Sequence, residues 1–129
     1  MIKQDYLIRI IQQVISAIVE ALLHRKPMRK QEWEEYEGIA RQVLGFSTEE
    51  LRTMDIQEVL ARYEHDKDQM DKIELAAMVL LKIADDAESD PMLKAKFRQD
   101  GTALLEYVQQ HGQTYSLQRE MLIAMLRKL

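Results

Sequence analysis

Between residues 4 and 25 the polar residues fall at positions 5, 9, 12, 13, 16, 20 and 24. At about 100° per residue, these positions share roughly a third of a helix circumference. The remaining surface holds ten branched aliphatics: Leu7, Ile8, Ile10, Ile11, Val14, Ile15, Ile18, Val19, Leu22 and Leu23. A helix on the outside of a bundle needs a narrower apolar stripe than this. The segment is therefore expected either at the centre of a helical fold or shared with a second copy of the chain. In the second case Ile8, Ile11, Ile15, Ile18 and Leu22 are the candidate interface of a homodimer.

Membrane and export readings of the same segment fail at the sequence level. A spanning helix needs about 18–20 nearly uninterrupted apolar residues. Arg9, Gln12, Gln13, Ser16 and Glu20 interrupt this one. A signal peptide needs an uncharged apolar block and a small-residue cleavage site. Here Glu20 lies inside the block and His24-Arg25-Lys26 follows it. With Cys 0 in the chain, a disulfide framework, thiol chemistry and cysteine-ligated metals are excluded, and a reducing, cytoplasmic setting is expected.

The rest of the chain reads as helices. Its 129 residues suit one domain, 47% of them are hydrophobic, and Gly 4 with Pro 2 supplies too few turns for an all-β fold. Lys26-Pro27 closes the first helix. A second is expected over 29–44, with Trp33, Tyr36, Ile39, Ala40, Val43 and Leu44 as its apolar face and Gly45 as its terminator. Two capping boxes with hydrophobic staples follow: Ser47 with Glu50, flanked by Phe46 and Leu51, and Asp55 with Glu58, flanked by Met54 and Val59. They place short helices at 48–53 and 56–64. Asp66 with Gln69 is read as the opening of a helix over 67–88. Asp90-Pro91 opens another, expected to reach Gln110. Asp100-Gly101 inside it is also a hairpin-turn signal. Leu93, Phe97, Gly101, Leu104, Leu105 and Val108 keep one helical face, which favours an unbroken helix with Gly101 at a close crossing. The last helix starts near 115. The expected fold is a single all-α domain, a bundle of about six helices with tetratricopeptide-like hairpins in its C-terminal half. Helix starts near 67, 91 and 115 lie about 24 residues apart, against about 34 in a true tetratricopeptide array, so no repeat is indicated. Residues 1–65 and 66–129 each carry 9 basic and 11 acidic groups, so charge marks no boundary.

The segment Gln4-Asp5-Tyr6-Leu7-Ile8-Arg9-Ile10-Ile11 and the long apolar helix it opens resemble the start of a family of bacterial helical proteins without assigned chemistry. In that family a similar helix precedes one ending in a leucine-glycine turn, here Leu44-Gly45-Phe46, and a tetratricopeptide-like hairpin follows. The resemblance implies a bacterial, all-helical, cytoplasmic protein. It carries over no catalytic residue.

Candidate chemistry is sparse. His24, His65 and His111 lie on different elements and form no metal-binding pair. Asp66-Lys-Asp-Gln-Met-Asp71 lacks the central glycine and the closing glutamate of a calcium loop. No serine sits in a glycine-flanked elbow, and no phosphate-binding glycine loop is present. Two charged clusters remain. Asp85, Asp86, Glu88 and Asp90 form an acidic corner at a helix turn, the residues a divalent cation or an enzymatic role would use. Arg25, Lys26, Arg29 and Lys30 form a basic turn over 24–30, open to an acidic partner or a nucleic-acid backbone. The net charge of −4 argues against a dedicated nucleic-acid binder. Eight methionines, Met121 and Met125 among them, are compatible with an adaptable apolar surface as well as with a core. The expected function is a non-enzymatic protein-interaction or scaffold module without cofactor or membrane. A nucleic-acid-associated regulator acting through 24–30 and a metal-binding or enzymatic protein acting through 85–90 are the alternatives.

Overall fold

The computed structural model describes residues 4–129, which form α1 (Gln4–Leu23), α2 (Lys30–Leu44), α3 (Thr48–Thr53), α4 (Ile56–Arg62), α5 (Gln69–Asp86), α6 (Pro91–His111) and α7 (Leu117–Arg127). The fold is all-α, with no strand among the described residues. Among the described residues there are seven helices, the two short ones expected at 48–53 and 56–64 included.

The residues Ile73 to Lys82 of α5 are buried without a gap, and Ala84 follows them. A helix apolar on one face alone would alternate. This one is enclosed, with α1, α2, α3, α4 and α6 packed around it. The central helix is therefore α5, and the expectation that α1 takes that place is corrected. The sequence pattern is the reason: Leu75, Met78 and Val79 fill the side of α5 that the face through Ile73, Ala77 and Leu80 leaves open. α6 runs back along α5 as the second arm of a hairpin, and α7 then packs on α6 and α1.

α1 lies against α5, α2 and α7. Ile11, Val14, Ile15, Ile18 and Val19 are buried there, and the other five of its ten branched aliphatics are half-buried. Among the described helices, α1 alone is long and apolar enough to cross a membrane, a criterion that core helices of soluble proteins also meet. Ile11, Ile15 and Ile18 are spent inside their own chain, at 0%, 6% and 0% exposure, and only Ile8 and Leu22 keep partial access. α1 ends two residues before the expected boundary, where Arg25 turns the chain in the left-handed region at φ 50°.

Local signals set the other boundaries. Ser47 Oγ accepts from Glu50 N at 3.2 Å while Glu50 Oε1 accepts from Ser47 N at 3.2 Å. Asp55 Oδ1 accepts from Glu58 N at 2.9 Å, and Glu58 Oε1 from Asp55 N at 3.3 Å. Gly45, at φ 87°, ends α2 in the conformation that favours glycine. The buried Tyr63 hydroxyl donates to Leu44 O at 2.7 Å and ties α4 to the end of α2. Asp66 does not cap α5. Its Oδ1 accepts from Asp68 N at 2.8 Å and its Oδ2 from Lys72 Nζ at 2.6 Å, so the carboxylate folds a local turn and α5 begins at Gln69. Asp90 Oδ1 caps α6 through Leu93 N, and α6 passes through Gly101 unbroken.

The two capping boxes yield an expected result. Ser47→Ala and Asp55→Ala each lower stability by about 1 kcal/mol, since each leaves a helix N–H without its acceptor. Urea denaturation reads this directly, and unchanged midpoints for both variants would remove the caps from the account of α3 and α4.

Candidate functional site

Two clefts open between the helices. The larger, of about 800 Å³, lies between the N-terminal half of α1, the start of α5 and the α6–α7 turn. Ile8, Ile15, Met78 and Leu122 line its apolar side. Its polar side centres on Glu74 and Arg119, which are 45 positions apart in sequence and both buried. Arg119 Nη1 donates to Glu74 Oε2 at 2.8 Å, Nε to Gln109 Oε1 at 2.7 Å and Nη2 to Thr114 O at 2.6 Å. One guanidinium thus joins α5, α6, the α6–α7 turn and α7.

Carboxylates along this cleft have different proton affinities. Burial raises Glu74, and the hydrogen bond and charge of Arg119 pull it only part of the way back. Burial also raises Asp71, helped by the nearby charge of Asp68. Asp66 is lowered: burial works against its charge, but the hydrogen bonds from Lys72 and Asp68 N outweigh that. Raised carboxyls in a cleft are candidate proton carriers. Here Glu74 is committed to Arg119, and the cleft's strongest polar contacts hold helices together. His111 borders the cleft, exposed, with its ring 4.3 Å from Tyr107. His24 and His65 are exposed elsewhere.

The smaller cleft, of about 550 Å³, lies between the end of α1, the end of α5, α6 and the C-terminal half of α7. It brings together residues that the sequence offers separately. Leu22 of the candidate interface, Arg25 of the basic turn, and Asp85 and Asp86 of the acidic corner all line it, along with Met28, Arg98, Met125, Leu126 and Leu129. Lys82, almost fully buried, donates to Asp86 at 2.6 Å and stands over the Trp33 ring at 5.1 Å.

The remaining charged candidates are scattered. Arg29 pairs with Glu32 at 3.2 Å, Lys26 and Lys30 are exposed, Asp90 caps α6, and Glu88 is exposed. The basic turn is thus divided between the cleft and solvent. Among the described residues, no group of three histidine, cysteine, aspartate or glutamate side chains is placed to hold a metal ion.

α7 adds a surface of its own. Leu117, Met121 and Met125 recur every four residues along it and form one stripe, which Leu129 continues just beyond the helix end. Leu117 is 61%, Met121 51% and Leu129 71% exposed, while Met125 is half-buried in the cleft wall. The stripe begins in solvent and runs into the smaller cleft. Met121 and Met125 are legible in the sequence as surface candidates. Leu117, Leu129, Met28 and Arg98 carry no signal of a binding surface there. Comparison with protein-family models, curated proteins and solved structures finds no match for this chain.

Proposed function

We propose that this chain is a non-enzymatic, cytoplasmic protein-interaction module, with its binding face on α7 and the smaller cleft. One observation carries the reading: the Leu117–Met121–Met125–Leu129 stripe, largely open to water, leads into a cleft floored by Leu22, Met28 and Leu126. A continuous apolar surface of this kind gains free energy when covered. Methionine adapts to irregular partners through its flexible thioether, which favours a protein surface over a small rigid ligand. Charge of both signs frames the cleft, with Arg25 and Arg98 beside Asp85 and Asp86. That favours a protein, which carries both signs, over a nucleic-acid backbone, which Asp85 and Asp86 repel.

The test is site-specific photocrosslinking in the source cell. A benzophenone side chain in place of Met121 should yield protein adducts that the same group in place of the exposed Gln57 on α4 does not. Identical adduct patterns at the two positions, or adducts to nucleic acid alone, would overturn the reading.

A further inference from the structure

We propose that the occupant of the α7 face is a second copy of this chain, bound antiparallel about a two-fold axis at Ala124. This rests on the reading of α7 as a binding face and names what covers it. Ala124 is exposed, three residues after Met121 and on the same side of the helix, with Met125 at the flank. A methyl group at the crossing point lets two helices approach closely while the four methionines of the two copies enclose the contact.

The charges choose the partner and the direction. Glu120 lies four residues before Ala124 and Lys128 four residues after it, both exposed. Four residues are about 6 Å of helix rise. Antiparallel pairing at Ala124 therefore sets Glu120 of each copy opposite Lys128 of the other. Parallel pairing would oppose Glu120 to Glu120 and Lys128 to Lys128. Among the described residues neither charge has an ion-pair partner: Glu120 accepts the Tyr115 hydroxyl, an uncharged donor, while the neighbouring Arg127 is already held by Glu106 at 3.0 Å. A face that is acidic at one end, basic at the other and apolar between is complementary to itself reversed, as a two-fold interface requires.

The chain has no cysteine, so single engineered cysteines report unambiguously. Under mild oxidation at about 10 micromolar, a concentration that detects dimers of micromolar affinity, Ala124→Cys should form disulfide-linked dimers at least about tenfold faster than Gly38→Cys. Gly38 is exposed on α2 with nothing within 4 Å, so it serves as the bystander. Sedimentation equilibrium of the unmodified chain should give twice 15.2 kDa. Glu120→Lys should weaken the dimer at least about tenfold, and Glu120→Lys with Lys128→Glu should restore it, with helical circular dichroism confirming that each variant is folded. A mass of 15.2 kDa with equal crosslinking at positions 124 and 38 would overturn the second copy as occupant. If photocrosslinking at Met121 then still captures a different protein, the interaction reading stands with another partner. If it captures nothing beyond the bystander pattern, both fall. A dimer indifferent to Glu120→Lys, or one that the double reversal fails to restore, would overturn the antiparallel pairing.

Discussion

Arg119→Ala is expected to cost about 3–5 kcal/mol, a large part of the stability of a domain this size. The loss is not that of one ion pair in water. Glu74 is fixed near the start of the buried run of α5, and without the guanidinium 2.8 Å away its carboxylate has no counter-charge. Gln109 and the Thr114 carbonyl lose their donors as well, so the α6–α7 turn loosens. Urea denaturation of both proteins at pH 7 measures the difference, and a variant within about 1 kcal/mol of the parent would show that Arg119 does not hold these elements. The pH dependence has a definite sign. Burial already holds Glu74 above its ordinary value of 4.5, and removing Arg119 takes away the groups that oppose this. A carboxyl raised in the folded state binds its proton more tightly folded than unfolded, so stability falls as pH rises through that raised value. The deficit of Arg119→Ala should therefore be largest at neutral pH and shrink on acidification towards the ordinary value. Adding Glu74→Gln should recover part of the loss at pH 7, because it removes the unpaired charge.

Gly101→Leu is expected to destabilise by about 1–3 kcal/mol, although leucine is the better helix former by close to 1 kcal/mol. A Cβ at Gly101 would lie 2.8 Å from Leu81 Cγ and 3.0 Å from the Ala77 carbonyl oxygen. Leu81 has some freedom to move; the Ala77 backbone, in the middle of the enclosed helix, does not. Even Gly101→Ala should lose stability. The contrast is Gly38, where a Cβ meets nothing within 4 Å: Gly38→Ala should gain about 0.5–1 kcal/mol. The pair separates backbone preference from crowding, and a stabilised Gly101→Ala would place α5 and α6 farther apart than described.

Those two glycines show where the sequence is informative. Gly101 lies on a helical apolar face, and its role follows from that periodicity. The starts of α3 and α4 are legible because Ser47 with Glu50 and Asp55 with Glu58 act within three residues, with staples that agree. The reading of Asp66 with Gln69 fails on the same kind of pattern, because Lys72, six residues on, takes the carboxylate. Nothing local in the sequence reveals that Glu74 and Arg119, two charges 45 residues apart, meet in the interior. The place of α1 is not legible for a related reason. Its width of apolar surface is visible in the sequence, but which neighbours cover it depends on α5 and α7. The smaller cleft is assembled from both halves of the chain, so Arg25 and Asp85 could be noticed separately but not together.

The packing of α1 on α5 also constrains how the chain is made. Synthesis proceeds from α1, and the end of α5 emerges about 60 residues later, an interval of roughly 3–12 seconds at typical elongation rates. Throughout that time the ten branched aliphatics of α1 have neither their main partner nor α7 to cover them. A ribosome carrying this chain thus presents an apolar nascent segment that α2 alone can partly cover until α5 emerges.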